Sequence, residues 1–134
     1  MVYPGEMTAT RRQRTALVVD DEPMVRRVIA AVLEKASLRV RTASNGAEAI
    51  RELEAAGTGS VDVVLLDIHM PGLTCAQTLD GLRAIDRDVA VILISGQAEP
   101  ENAGLGHRCS GFLGKPFLPE ALLGAVRRAV PALV

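Results

Sequence analysis

The chain has 134 residues, with 15 basic and 16 acidic side chains for a net charge of −1, and 49% of it is hydrophobic. That length implies one domain, and that composition a core large enough to fold without metal or disulfide staples, which excludes disordered and small-scaffold classes. Aromatic residues at 2% exclude stacking platforms for single-stranded nucleic acid, and the balanced charge excludes a polyanion binder that works through its overall field.

In chain order, residues 1–14 read as a polar tail or linker whose Arg11, Arg12 and Arg14 are solvated, and 15–134 as the folded domain. Leu17-Val18-Val19 is the first of three near-continuous, β-branched runs, the pattern of strands buried on both faces. Pro23 suits the first turn of a helix that carries Val25, Val28, Ile29, Val32 and Leu33 on one stripe. Leu38–Ala43 is a weaker, more exposed strand. Asn45 caps a second helix with Ile50 and Leu53 on its apolar side. Val61–Leu66 supplies another buried strand. Thr74 with Gln77 makes a capping box for a third helix carrying Leu79, Leu82 and Ile85. Val89–Ile94 is the third buried run, Gly111–Leu113 a short last strand, and Pro119 opens a last helix with Leu122, Val126 and Val130.

Strand and helix alternating about five times predict an open parallel sheet covered by helices on both faces. Sites in such sheets lie outside the carboxyl ends of the strands. There the sequence places Asp20-Asp21-Glu22, Asp67, Ser95-Gly96 and Lys115-Pro116. Taken singly, each has a plain structural role: either of Asp20 and Asp21 could cap a helix, Ser95 could turn a loop, and Lys115 could be a solvated lysine. Converging on one crevice, they read differently. Clustered carboxylates repel unless a cation shares the site, and oxygen donors without paired His or Cys favour a hard ion such as Mg²⁺. Such an arrangement suits phosphoryl chemistry, with a carboxylate as nucleophile. Cys75 and Cys109 fall in no C-x-x-C or zinc-ligand spacing, which suits a reducing, cytoplasmic setting, and no apolar run reaches the roughly 18 residues of a membrane span.

At these residues the chain resembles the receiver domain of bacterial two-component response regulators. Val18-Val19-Asp20-Asp21-Glu22-Pro23, Leu65-Leu66-Asp67-Ile68-His69-Met70-Pro71-Gly72, Ile94-Ser95-Gly96 and Phe112-Leu113-Gly114-Lys115-Pro116-Phe117 are similar to the family's signatures, in order and at its spacing. The resemblance runs from about Thr15 to Val130. It implies an α/β, flavodoxin-like doubly wound sheet of five parallel strands in the order 2-1-3-4-5, with about five helices. It further implies that Asp67 is the phosphoacceptor, that Asp21 and Asp67 with the backbone carbonyl of His69 bind Mg²⁺, and that Asp20 acts mainly through a metal-bound water. Lys115 would pair with a phosphoryl oxygen and precede a cis bond to Pro116. Ser95 would move to hydrogen-bond the phosphoryl group, and the Phe112 ring would follow that switch.

Two departures from the family pattern stand out. Thr74-Cys75 occupies positions where Asp-Gly is common, and Ala98–Ser110 carries Pro100, Gly104 and Gly106 with few large apolar residues, which predicts a short or frayed fourth helix. The resemblance implies a cytoplasmic signalling switch phosphorylated by a histidine kinase or a histidine phosphotransfer protein, and read by a downstream protein on the face spanning 96–130. Weak homodimerisation is compatible with it; direct nucleic-acid or membrane contact is not expected. The competing classes are a docking-only receiver, which usually loses the acidic pair or the lysine, and a phosphohydrolase of the haloacid-dehalogenase type, which usually has an Asp where His69 stands. Leu93–Glu99 with the Arg-containing lead-in resembles receivers of hybrid histidine kinases. The last helix leaves only about four residues, so either a single-domain receiver or one excised from a larger protein is expected.

Overall fold

A computed structural model describes residues 13–96 and 109–131. Five parallel strands, β1 (Thr15–Val19), β2 (Arg39–Ala43), β3 (Val63–Asp67), β4 (Ala90–Ser95) and β5 (Gly111–Gly114), form one sheet in the order β2-β1-β3-β4-β5. Among the described residues there are four helices: α1 (Pro23–Lys35), α2 (Gly46–Ala56), α3 (Cys75–Ile85) and α4 (Pro119–Ala129). The fourth of the five expected helices, assigned to Ala98–Ser110, falls on residues that are mostly outside the described ones, as does most of the expected tail.

The sheet is the middle layer because its three central strands have no polar face. Every residue of β1, β3 and β4 is buried. The two-residue period of a strand then divides these side chains between two cores. Ala16, Val18, Val63, Leu65, Ile92 and Ile94 meet Ile29 and Leu33 of α1 and Leu122, Ala125 and Val126 of α4. Leu17, Val19, Val64, Leu66, Val91 and Leu93 meet Ala49 and Leu53 of α2 and Leu79 and Leu82 of α3. The edge strand β2 carries Arg39 and Arg41, charges that discourage further strand pairing.

Local chemistry sets the helix ends. Pro23 begins α1, but its N-cap is Glu22, which makes no side-chain cap bond. Asn45 Oδ1 accepts the Glu48 N–H at 2.8 Å to start α2, and Thr74 and Gln77 form the complete capping box of α3. Helices α2 and α3 approach closely through two glycines. A Cβ on Gly46 would collide with Thr78 Oγ1, and one on Gly81 with Ile50 Cδ1.

Several boundaries differ from expectation. β3 starts at Val63 rather than Val61, because Asp62 turns aside to bond Thr15, its N–H to the Thr15 carbonyl and its carboxylate to the Thr15 N–H, both at 2.8 Å. Asp67 and Ser95 are the last residues of their strands rather than the first beyond them. Val28 leaves the apolar stripe of α1: the helix turns Ile29 and Leu33 onto the sheet, and Val28 stays 56% exposed on the flank.

Candidate functional site

The carboxyl ends of β1, β3 and β4 and the turn after β5 bring the polar residues together. Asp20 follows β1 directly and is fully buried, and each of its polar groups has a partner. Its N–H donates to the Ala43 carbonyl at 3.1 Å, Oδ1 accepts the Glu22 N–H at 2.9 Å, Oδ2 lies 3.1 Å from Lys115 Nζ, and its carbonyl accepts Arg26 Nη1 at 2.7 Å. Neither Asp20 nor Asp21 caps α1, so the plain structural role open to them from sequence is not the one they take. Asp67, 4% exposed, accepts the His69 N–H on Oδ1 at 3.0 Å and faces Lys115 Nζ with Oδ2 at 3.4 Å. Lys115 thus bridges two buried carboxylates from a chain position 95 residues beyond one and 48 beyond the other. Its bond to Pro116 is cis, as expected, and its own N–H donates to the Ser95 carbonyl at 2.7 Å.

Asp21 is the exposed member. Carboxylate oxygens of Asp20, Asp21 and Asp67 all lie within 4.8 Å of one another. Three carboxylates against one lysine leave negative charge in excess, and the donors are all oxygen, a set that fits a hard divalent cation. The electrostatics agree. Burial pushes the Asp67 carboxyl above its usual range; the His69 N–H pulls the other way, Asp20 adds repulsion, and Lys115 offsets part of it. Burial alone would lower the Lys115 ammonium, but its contacts with Asp20 and Asp67 outweigh that and raise it.

Ser95 is fully buried at the end of β4, opposite Gly114. Phe112 pairs with Leu93 two residues earlier, and it is half-buried against the α2/α3 core. Phe112 and Gly114 share a face of β5, so opposite Ser95 stands a residue without a side chain. His69 is exposed and reaches Asp67 through its backbone.

One residue of this constellation went unread in the sequence: Arg26. It looks like part of the polar face of α1. Its signal is its position in the first turn of a helix that opens right after the acidic pair. Helical side chains lean toward the N-terminus, which returns a long cation to the strand end it came from.

A doubly wound parallel sheet with an acid cluster and a lysine at its carboxyl ends defines a class: α/β proteins built to handle a phosphoryl group beside a divalent cation. Residues 16–127 match the family model of the response regulator receiver domain, and the chain belongs to that family. The chain is 36% identical over 121 residues to the C4-dicarboxylate transport transcriptional regulatory protein DctD of Pseudomonas aeruginosa, covering 88% of this chain and 25% of that protein. It is 34% identical over 119 residues to the nitrate/nitrite response regulator protein NarL of Escherichia coli, covering 86% and 54%. The chain therefore spans from a quarter to about half the length of these curated relatives. Among solved structures, the chemotaxis response regulator CheY4 of Vibrio cholerae superimposes with a TM-score of 0.80 at 28% identity, covering 89% of this chain and all of that one. The response regulator TrrA of Thermotoga maritima, in complex with Mg²⁺-BeF, gives 0.78 at 27% identity, covering 88% and 100%. As a receiver domain of two-component response regulators the chain fits a phospho-accepting switch, and nothing supports the docking-only or phosphohydrolase readings.

Proposed function

We propose that Asp67 accepts a phosphoryl group from a phosphohistidine on a histidine kinase or histidine phosphotransfer protein, within a cytoplasmic receiver domain spanning 15–134. The observation that carries this is Lys115 Nζ held between the buried carboxylates of Asp20 and Asp67, with Asp21 alongside. A carboxylate oxygen of Asp67 attacks phosphorus, the P–N bond to the donor imidazole breaks, and an acyl phosphate forms on Asp67. The His69 N–H orients the attacking carboxylate through its second oxygen. Lys115 neutralises charge on a phosphoryl oxygen, and the Ser95 hydroxyl donates to another. Asp21, Asp67 and the His69 carbonyl would hold Mg²⁺, with Asp20 acting through a bound water. When bound, the ion supplies charge neutralisation of the transferring group.

A groove of about 490 Å³ beside the site supports a protein as the donor. Met24, Val25, Val28, Pro116 and Phe117 line it, with Lys115 in its wall, and Met24 and Val28 are 67% and 56% exposed. Such apolar exposure next to a buried nucleophile suits the docking of a partner's side chains. The downstream reader is assigned to the face of β5 and α4, where Phe112 and Phe117 are half-buried, as expected of a reading face, and Leu118 is exposed; the expectation that Leu105 is partly exposed there falls outside the described residues.

Intact-mass spectrometry after incubation with Mg²⁺ and acetyl phosphate tests the acceptor. The wild-type chain is expected to gain one phosphoryl group and Asp67→Asn none. Equal gain in both would place the acceptor elsewhere.

A further inference from the structure

We infer that Arg26 is a positioning residue of this site, one that fixes the Asp20–Asp21 peptide and so sets how Asp21 is presented to a divalent cation. The inference rests on the proposed cation site and adds a residue to it. Arg26 Nη1 donates to the Asp20 carbonyl at 2.7 Å, and that carbonyl belongs to the peptide leading into Asp21. The preceding peptide is already pinned by the Asp20 N–H on the Ala43 carbonyl, and the Asp20 side chain by the Glu22 N–H and Lys115. Arg26 therefore settles the one remaining plane. Rotation of that plane would swing the exposed Asp21 carboxylate relative to Asp67, since peptide groups move as rigid units. A charge-assisted bond of this length is among the stronger ones a side chain makes to the backbone. Arg26 is itself anchored in the first turn of α1 by its N–H on the Glu22 carbonyl at 3.0 Å. The guanidinium is also felt by Glu48 of α2, whose carboxylate is engaged by the N–H and hydroxyl of Ser44.

Arg26 has a second effect, and it has the opposite sign. A guanidinium bound to the backbone of the acid cluster competes electrostatically with an incoming cation, so as a mere charge its removal would tighten Mg²⁺ binding. As a positioning group its removal would weaken it, and outer residues that orient metal ligands typically cost about 10-fold or more in affinity when lost. The direction of the change separates the two.

The experiment is calorimetric titration of the full chain with Mg²⁺, for wild type, Arg26→Met, Arg26→Lys and Asp21→Ala. Thermal midpoints measured in chelator report on folding. Arg26→Met keeps the length of the side chain and loses both donor and charge, and about a 10-fold weaker affinity is expected. Arg26→Lys, which keeps a charged donor, is expected to recover most of that loss at an unchanged thermal midpoint. Unchanged or tighter binding by Arg26→Met, with Asp21→Ala weakened, overturns the positioning role and leaves the cation site standing. Unchanged binding by Asp21→Ala as well overturns both. Should Arg26→Met not fold, Arg26→Gln, too short to reach the Asp20 carbonyl and uncharged, carries the test: a weakened affinity supports the inference, and wild-type or tighter affinity overturns it.

Discussion

Asp67 shows at the scale of one residue what the site costs the fold. Its carboxyl is buried beside Asp20, and burial first, then that repulsion, raise its pKa against the opposing pull of the His69 N–H and Lys115. A group whose pKa is higher folded than unfolded contributes its full stability only below its unfolded value, about 3.9 for Asp, and loses it as the pH rises through the folded value. At neutral pH the ionised Asp67 therefore works against the native state. Asp67→Asn keeps an oxygen for the His69 N–H and removes the buried charge. In chelator at pH 7 this variant is expected to melt a few degrees above wild type, and the difference should close as the pH falls below about 4. A variant no more stable than wild type at pH 7, or a gain that persists unchanged into acid, would show that the charge is already fully compensated by Lys115.

At the scale of an element, the end of α1 holds a residue in a conformation its type disfavours. Ser37 has φ 72°, the left-handed region, and closes the helix with two bonds: its N–H to the Glu34 carbonyl at 2.9 Å and the Leu38 N–H to the Leu33 carbonyl at 3.1 Å. Leu33 and Leu38 are both in the α1/α4 core, the apolar contact that usually accompanies this ending. The left-handed conformation costs an L-residue about 1–2 kcal/mol, and glycine's extra freedom when unfolded returns part of that gain, about 0.4–1 kcal/mol. Ser37→Gly is therefore expected to stabilise the fold by about 0.5–1 kcal/mol in urea denaturation, whereas Ser37→Ala should not. A lower midpoint for Ser37→Gly would mean that the serine side chain contributes more than its backbone costs. The elements themselves were legible because the local signals were unambiguous: continuous β-branched runs, Pro23, Asn45 and the Thr74–Gln77 pair each do in the structure what their chemistry suggests. Acidic and basic residues at strand ends were legible as a site for the same reason. What could not be read depends on angles. Val28 differs from Ile29 only by one step around a helix, and Arg26 matters only because its side chain leans back onto a carbonyl, a partner that a string of side chains does not display.

Across the whole molecule, the site and the β5 face are joined by backbone as well as by side chains. Lys115 touches Asp67 through Nζ and Ser95 through its N–H, while the Ile68 N–H donates to the Ile94 carbonyl at 3.0 Å, so the ends of β3, β4 and β5 are tied in one row. A phosphoryl group on Asp67 adds negative charge and acceptor oxygens at the middle of that row. On the proposed function Lys115 and Ser95 would both gain a partner there, which would bias the ends of β4 and β5 toward an arrangement that the unphosphorylated chain visits less often. Phe112 lies on the same face of the sheet as Ser95 and is half-buried, and no side chain at Gly114 intervenes, so its ring can respond without disturbing the core. Helix α2 stands apart from that row: it is capped by Asn45 and packed on α3. Hydrogen exchange with and without beryllofluoride and Mg²⁺ is therefore expected to show increased protection around Asp20, Asp21 and Asp67 and, beyond them, altered protection across residues 96–117, with α2 little changed. Beryllofluoride binding whose effect stops at the carboxylates, leaving 96–117 as in the free chain, would mean that the row of strand ends does not transmit the charge and that the β5–α4 face is not what a downstream protein reads.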